Sequence, residues 1–260
     1  PSGGGFFKDD VEYASAAAAG LTGGTATVTG ASVGTKQGFS IIKYTTTSSA
    51  GNFTVPHGLS EAPTFIITRK ISGGNWITGH DALGWTKYLV LNTTASEGTN
   101  ANAWGNSSPT ASVFGGNDDS FYGSGVEQIS YIWHDVPGLQ KFGSYESSGS
   151  QYDGPYIELG FKPAMVMIKA ATRQFGSNWS IIDTTRNEAN FSSSGNGTKI
   201  LYWSTNGAEF TSGGAQCDLL SSGFKVRNNS SDINDGGTYI YAAWAEAPIS
   251  DLYGGRSNAR

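Results

Sequence analysis

The sequence contains a single cysteine, Cys217, so no disulfide can form within the chain. This count excludes the disulfide-stapled architecture of many small secreted domains. The three histidines, His57, His80 and His134, are not accompanied by the Cys/His spacing of a zinc site. There is also no Gly-x-Ser-x-Gly elbow and no Walker loop. The sequence therefore predicts a protein that is not an enzyme and that needs no cofactor.

Charged residues are scarce as well. They make up 14% of the chain, and 16 Lys and Arg stand against 21 Asp and Glu, which gives a net charge of −5. A nucleic-acid partner is not expected, because binding to a phosphate backbone requires clustered basic side chains. No apolar run approaches the roughly 20 residues of a membrane-spanning helix, so membrane insertion is not expected either.

Glycine and small polar residues take the place of charge. The chain has 37 glycines in 260 residues, 12% aromatic residues and many Ser, Thr and Asn. These small residues are poor helix formers and are common in turns. Short runs of β-branched and aromatic residues alternate with such turns. The composition therefore predicts an all-β fold.

An internal repeat gives this fold its organisation. Anchors occur in the same order in the two halves of the chain, and the sequence distance between paired anchors drifts from 100 to 103 to 111 residues, as loop insertions would make it. The pairs are Tyr44 with Tyr145, Pro63 with Pro163, Trp76 with Trp179, residues 112–118 with 223–229, and Trp133 with Trp244. We therefore expect two tandem β-sandwich or jelly-roll-like domains, residues 38–137 and 138–249.

The segments outside the repeat are an N-terminal arm, residues 1–37, and a polar tail, residues 250–260. The arm is rich in Gly and Ala, and only its TATVTGASV stretch alternates as a strand does. We expect the rest of the arm to be flexible or to become ordered against a neighbour. Each repeat ends with Trp, three residues and Pro (Trp133 to Pro137 and Trp244 to Pro248). The Trp is expected to pack where the last strand leaves its sheet.

Several of these motifs carry a resemblance to a known family. The segments GFSIIKYT, VPHGLSEAP, LNTT and KFGSY, with a chain end of NAR, resemble a repeat domain without assigned function. That domain occurs in virion proteins of tailed phages, particularly phages of marine bacteria and cyanobacteria, where it tends to form the distal part of tail fibres. The resemblance covers about residues 36–260 and brings no catalytic residues. It implies a location in the virion, self-association as a homotrimer, and attachment to other virion proteins through the N-terminal arm.

The resulting functional hypothesis is a tail fibre or fibre-like appendage that contacts the host envelope, with a surface glycan as ligand. One alternative is a capsid-surface decoration or fibre component that binds no receptor. A second alternative is a polysaccharide depolymerase that uses a pair of carboxylates. Its candidates, chosen by residue type, are Glu146, Asp153, Glu158, Asp183 and Glu188.

Aromatic residues outside the repeated positions are the candidates for binding a glycan. Aromatic rings stack on the C–H faces of sugars, and neighbouring polar side chains can bind the hydroxyl groups. Packing under a loop or at a subunit interface is the alternative role for these rings. The candidates are Trp85, Tyr88, Trp104, Tyr152, Tyr156, Tyr202 and Trp203.

A possible metal site lies in the loop before the last strand. The DINDGG segment places oxygen ligands at Asp232, Asn234 and Asp235, with spacing that suits Ca²⁺. The segment lacks the downstream bidentate Glu of a calcium loop, and Asn, Asp and Gly are also ordinary turn residues. Calcium and a simple turn are the two interpretations.

Overall fold

The chain folds almost entirely into short β-strands, and the predicted all-β class is confirmed. The computed structural model describes residues 5–49, 51–173, 176–187, 190, 197–212 and 216–248, so the predicted polar tail lies outside the described residues. No helix within these ranges is long and apolar enough to cross a membrane. The described residues belong to two compact units, one within 1–90 and 98–135 and the other within 91–97 and from 136 onward.

The first unit is a β-sandwich of one large and one small sheet. Its strands are β1 (Phe6–Lys8), β2 (Val11–Tyr13), β3 (Thr27–Gly34), β4 (Phe39–Thr45), β5 (Asn52–Pro56), β6 (Phe65–Lys70), β7 (Ile77–His80), β8 (Lys87–Val90), β9 (Gly98–Thr99), β10 (Val113–Asn117) and β11 (Glu127–Trp133). The large sheet has the order β2-β1-β3-β4-β11-β6-β7-β8-β9, and β10 pairs with β5. Alternate residues of β4 and β11 point into the core, as period-two patterning requires.

The second unit also has two sheets. Its strands are β12 (Gln140–Glu146), β13 (Tyr156–Glu158), β14 (Pro163–Ala170), β15 (Ser180–Asp183), β16 (Lys199–Tyr202), β17 (Phe210–Thr211), β18 (Cys217–Leu220), β19 (Gly223–Val226) and β20 (Thr238–Ala245). They form one sheet of order β12-β20-β14-β15-β16-β17 and another of order β13-β19-β18. Cys217 is buried in this core, where desolvation raises the pKa of its thiol.

The two units have matching strand orders. The series β4-β11-β6-β7-β8-β9 in the first unit corresponds to β12-β20-β14-β15-β16-β17 in the second. Tyr44 and Tyr145, which the sequence aligns, are both the sixth residue of their strands, and both point into the core. This one aligned pair therefore occupies equivalent places in the two sheets.

The N-terminal segment is part of the first sheet. The predicted strand in TATVTGASV is present as β3, which pairs with β4 from Thr27↔Thr45 to Gly34↔Phe39. The residues before it, expected to be flexible or ordered against a neighbour, also belong to this unit: β1 lies parallel to β3, and Leu21 in the turn before β3 is buried in the core. β1 and β2 were not predicted because each has only three residues, too few to show a period-two pattern.

The Trp that ends each central strand packs against its neighbours. Trp133 of β11 stacks on Phe39 of β4 at 4.7 Å between ring centroids and lies 5.4 Å from Phe65 of β6. One ring therefore bridges three adjacent strands. Trp244 of β20 contacts Phe142 of β12 edge to face at 5.7 Å. These rings occupy the packing position that the sequence predicts for them.

A tight turn follows and leads into β12. Leu139 N donates to Val136 O at 3.0 Å, which closes a four-residue turn around Pro137 and Gly138. Gly138 has a φ of 76°. Pro at the second position and a left-handed Gly at the third are the requirements of a type II turn. The VPGL segment is thus a turn rather than a flexible spacer.

Trp104 provides a test of the first core. Its side chain is fully buried, its Nε1 donates to Lys87 O at 2.9 Å, and its ring meets Trp85 edge to face at 5.3 Å. We predict that Trp104→Ala lowers the free energy of unfolding by about 3–5 kcal/mol, through cavity formation and a lost hydrogen bond. Urea denaturation measures this. The exposed Trp203→Ala is the control and should change it by less than about 0.5 kcal/mol; equal losses would contradict the packing.

His57 is a buried histidine with backbone partners on both ring nitrogens. Nε2 lies 3.0 Å from Thr110 O, and Nδ1 accepts a hydrogen bond from Leu59 N at 3.2 Å. Burial lowers the pKa of this imidazole to about 4. The ring is therefore neutral at pH 7 and donates from Nε2. This is a structural role.

This depressed pKa predicts an acid-dependent loss of stability. As the pH falls below about 6.5, the unfolded chain binds a proton at His57 that the folded chain refuses until about pH 4. This loss of folding stability is absent above this pH range and reaches at most about 3 kcal/mol at the lower end of the range. His57→Gln keeps a donor for Thr110 O but does not titrate. Plots of melting temperature against pH, from pH 4 to 8, should have different slopes for the two proteins. Parallel plots would contradict the lowered pKa of His57.

Candidate functional site

The outer face of the β13-β19-β18 sheet carries a cluster of polar and aromatic side chains. The strands alternate, so that Ile157, Leu219 and Phe224 point into the core of the second unit. The residues between them point outward. We call the cluster formed by Tyr152, Asp153, Tyr156, Glu158, Ser222 and Lys225 the tyrosine face.

Tyr156 and Glu158 form the centre of the tyrosine face. The Tyr156 hydroxyl donates to Glu158 Oε2 at 2.6 Å and lies 2.7 Å from Ser222 Oγ. Gly160 N donates to the other carboxylate oxygen at 3.1 Å. The hydrogen bond from Tyr156 lowers the pKa of Glu158, and the same bond raises the pKa of Tyr156. The carboxylate is thus held ionised, and the tyrosine ring is held in one orientation.

Lys225 fixes the second half of the tyrosine face. It lies on β19 directly opposite Tyr156, and its Nζ donates to Asp153 Oδ1 at 2.6 Å and to Gly154 O at 3.2 Å. The hydrogen bond from Lys225 lowers the pKa of Asp153. These bonds tie the loop that carries Tyr152 to the sheet. Tyr152 and Tyr156 remain 76% and 44% exposed.

This arrangement suits the binding of a hydroxyl-rich ligand. Exposed rings offer apolar surface to the C–H face of a sugar, and ionised side chains form the stronger class of hydrogen bonds with hydroxyl groups. Two of the predicted glycan-binding residues, Tyr152 and Tyr156, lie here. Sequence reasoning missed Ser222 and Lys225; the signal that could have found Lys225 is the alternation in GFKV, which puts Lys outward beside a buried Phe.

The prediction that Trp85 and Trp104 bind a ligand at the surface is wrong, because both are buried in the first core. Tyr88 is half-buried, and its ring lies 4.6 Å from that of Phe121. Gly79 of β7 makes the packing of Trp85 against Trp104 possible. A Cβ at Gly79 would lie 2.5 Å from the ring of Trp104 and 2.6 Å from that of Trp85.

The remaining two candidates lie on the β16–β17 hairpin rather than on the tyrosine face. Tyr202 is half-buried and stacks on Phe210 at 5.8 Å between ring centroids. Trp203 is 47% exposed and Phe210 is 45% exposed. The structure therefore divides the predicted glycan-binding residues among three places.

The proposed calcium ligands do not converge, which corrects the metal prediction. Asp232 Oδ1 accepts from Asn178 N at 2.7 Å, and Asp235 pairs with Arg173 at 2.7 Å. Asn234 is fully buried and bonds to the Ser147–Ser150 loop. Among the described residues, no three His, Cys, Asp or Glu side chains come together in a way that could hold a metal ion. The segment is a turn held by side-chain hydrogen bonds.

Asn234 distinguishes the turn from a metal site. Its Oδ1 accepts from Ser148 N at 2.9 Å, and its Nδ2 donates to Ser150 O at 3.1 Å. We predict that Asn234→Asp destabilises the protein by about 1–3 kcal/mol, because it loses the donor and buries a charge. Urea unfolding with Ca²⁺ and with EDTA should give the same loss. Recovery of wild-type stability with Ca²⁺ would restore the calcium interpretation.

The other carboxylate candidates are also engaged in the structure. Glu146 accepts from Thr238 Oγ1 at 2.7 Å, and Asp183 pairs with Arg186. Glu188 lies outside the described residues. Only Asp153 and Glu158 of the carboxylate candidates belong to the tyrosine face.

Comparison with known proteins places the chain in a family without settling its activity. No curated protein and no solved structure matches the chain. The sequence profile of a domain of unknown function, DUF7483, matches residues 12–248. This range includes β3 and begins within β2, so β3 is part of the family domain, whereas β1 lies before the matched range. The chain belongs to the DUF7483 family.

Proposed function

We propose that this protein is a virion structural protein, a tail fibre or fibre-like appendage of a tailed phage, and that its tyrosine face binds a glycan of the host envelope. The sequence resemblance supports the virion part of the proposal. The observation that carries the binding part is the pair of exposed tyrosines, one of them held by Glu158 and Ser222. Location on the particle surface and a non-enzymatic role belong to the same proposal.

The pKa values of the exposed carboxyl groups favour binding over glycoside cleavage. A general acid in glycoside hydrolysis needs a raised pKa. The pKa values of Asp153 and Glu158 are instead lowered, through hydrogen bonds from Lys225 and Tyr156. Release of sugar from host envelope by the purified chain tests the depolymerase alternative.

The proposed partners are a host glycan, other virion proteins and further copies of the chain, with a homotrimer as the assembly. The N-terminal segment offers exposed apolar side chains for attachment, at Phe7 and Val11. A capsid decoration protein without a receptor is the second candidate. The position of the protein on the particle, seen by immunogold labelling, separates it from a tail fibre.

Adsorption of the labelled full chain to phage-sensitive cells tests the binding proposal. We expect binding to sensitive cells and none to a matched resistant strain. Tyr156→Ala should weaken binding about tenfold, because it removes an aromatic contact of about 0.5–1.5 kcal/mol and releases Glu158. Tyr156→Phe keeps the ring and should retain most of the binding.

Ala82→Ser is the control, since Ala82 is also exposed but belongs to the first unit. Equal binding by wild type and Tyr156→Ala would remove the tyrosine face as the site. Binding to neither strain by a folded protein would favour the decoration candidate.

A further inference from the structure

Two loops of equal length occupy the same place in the two strand orders. Residues 91–97 (LNTTASE) connect β8 to β9, and residues 203–209 (WSTNGAE) connect β16 to β17. The flanking strands pair in the same register, Lys87↔Thr99 in one hairpin and Lys199↔Thr211 in the other. Both loops have Thr as their third residue and Glu as their last. They are structural counterparts.

The first of these loops is seated within the second unit. Thr94 O accepts from Lys169 Nζ at 3.0 Å and from Ser177 N at 2.9 Å. Glu97 N donates to Ala171 O at 2.9 Å. Lys169 is fully buried, and desolvation lowers the pKa of its amine to about 8. The surface that receives the loop is thus the end of β14 and the turn after it.

The first unit has the same surface at the end of β6. Ile71 N donates at 3.0 Å to the carbonyl of Glu127, the first residue of β11. Ala171 N donates at 2.9 Å to the carbonyl of Thr238, the first residue of β20. Ile71 therefore corresponds to Ala171, and the residue two positions earlier, Arg69, corresponds to Lys169.

This surface is open in the first unit. Ile71 is 47% exposed, and the turn from Lys70 to Gly74 lines a cleft of about 300 Å³. Arg69 has a buried Nε without a hydrogen-bond partner, and its guanidinium lies 5.0 Å from the ring centroid of Trp76. A carbonyl oxygen placed here would accept from the terminal nitrogens of the half-buried Arg69, as Thr94 O accepts from Lys169 Nζ.

Loop 203–209 is the corresponding unseated loop. Residues 205–209 are all exposed, and Trp203 and Phe210 flank them as exposed rings. Glu209, the last residue of the loop, pairs with Arg186 at 3.3 Å. The match between the loop and the open surface therefore rests on the equal loop length and the shared strand register.

We propose that loop 203–209 of one copy of this chain seats on the end of β6 in a second copy, as loop 91–97 seats on the end of β14. The guanidinium of Arg69 then donates to the carbonyl of Asn206 of the second copy, and Glu209 N of that copy donates to Ile71 O. The two surfaces are different, so the interface is head-to-tail and closes as a ring or grows as a filament. A closed ring of three would be the proposed homotrimer.

Sedimentation equilibrium of the full chain tests this inference. A seven-residue loop buries little area, so the chain should be studied from about 5 to 500 μM, a range that reveals weak affinity. Asn206→Lys places a cation opposite Arg69 and disables the loop. Ile71→Asp places a charge in the receiving surface. Ala82→Asp adds the same charge at an exposed position beside the opposite end of β6, where His80 pairs with Phe65, and is the control.

We expect wild type and Ala82→Asp to associate, and each interface variant to associate at least about tenfold more weakly, equivalent to about 1.4 kcal/mol. A 1:1 mixture of the two interface variants should form a dimer and stop there. The intact loop of the Ile71→Asp chain meets the intact receiving surface of the Asn206→Lys chain, and no second interface remains. Only a head-to-tail contact predicts this complementation.

Three results would overturn the inference: a monomeric wild type over the whole range, association unchanged in both variants, or a mixture that stays monomeric while wild type associates. Circular dichroism checks that each variant is folded. If Asn206→Lys is not folded, Thr205→Lys serves as a second loop variant. The inference does not rest on glycan binding. Tyr156→Ala should leave self-association unchanged, so the failure of one proposal is distinguishable from that of the other.

Discussion

Pairing of the last strand of each repeat with neighbours on both sides is the interaction on which the rest of the structure depends. β11 lies between β4 and β6, and β20 lies between β12 and β14. The last strand in sequence is thus central in its sheet, so each unit is complete only when its whole repeat is present. The inward residues of this strand, such as Ile132 and Tyr239, then close the core.

This constraint decides which side chains are available for function. Where strands alternate over a core, every second residue is directed outward, and in β13 those residues are Tyr156 and Glu158. The hairpins at the end of the two sheets pair with β7 and β15, and their loops differ in what surrounds them. Loop 91–97 is seated in the second unit, whereas loop 203–209 is exposed. The outward residues of the tyrosine face therefore suit the proposed ligand, and the exposed loop 203–209 suits the proposed second copy of the chain.

The sequence was sufficient for the all-β class and for the packing of Trp133, because composition and period-two patterning are local properties. It was insufficient for Trp104, whose burial depends on Gly79, a residue of another strand with no side chain to signal the contact. It was insufficient for Asp232 and Asn234, because turn residues and calcium ligands are the same residue types. It was sufficient for β3 but insufficient for β1 and β2, since three residues are too few to show a period-two pattern.

The central claim is that the tyrosine face contacts the host glycan, and backbone amide chemical shifts test it most directly. The ¹⁵N-labelled full chain would be titrated with purified envelope polysaccharide from a phage-sensitive host. The account predicts shift changes centred on the amides of Ile157, Gly160 and Lys225, with none at loop 203–209. Shifts confined to that loop or to the first unit, or no shifts at saturating polysaccharide, would contradict it.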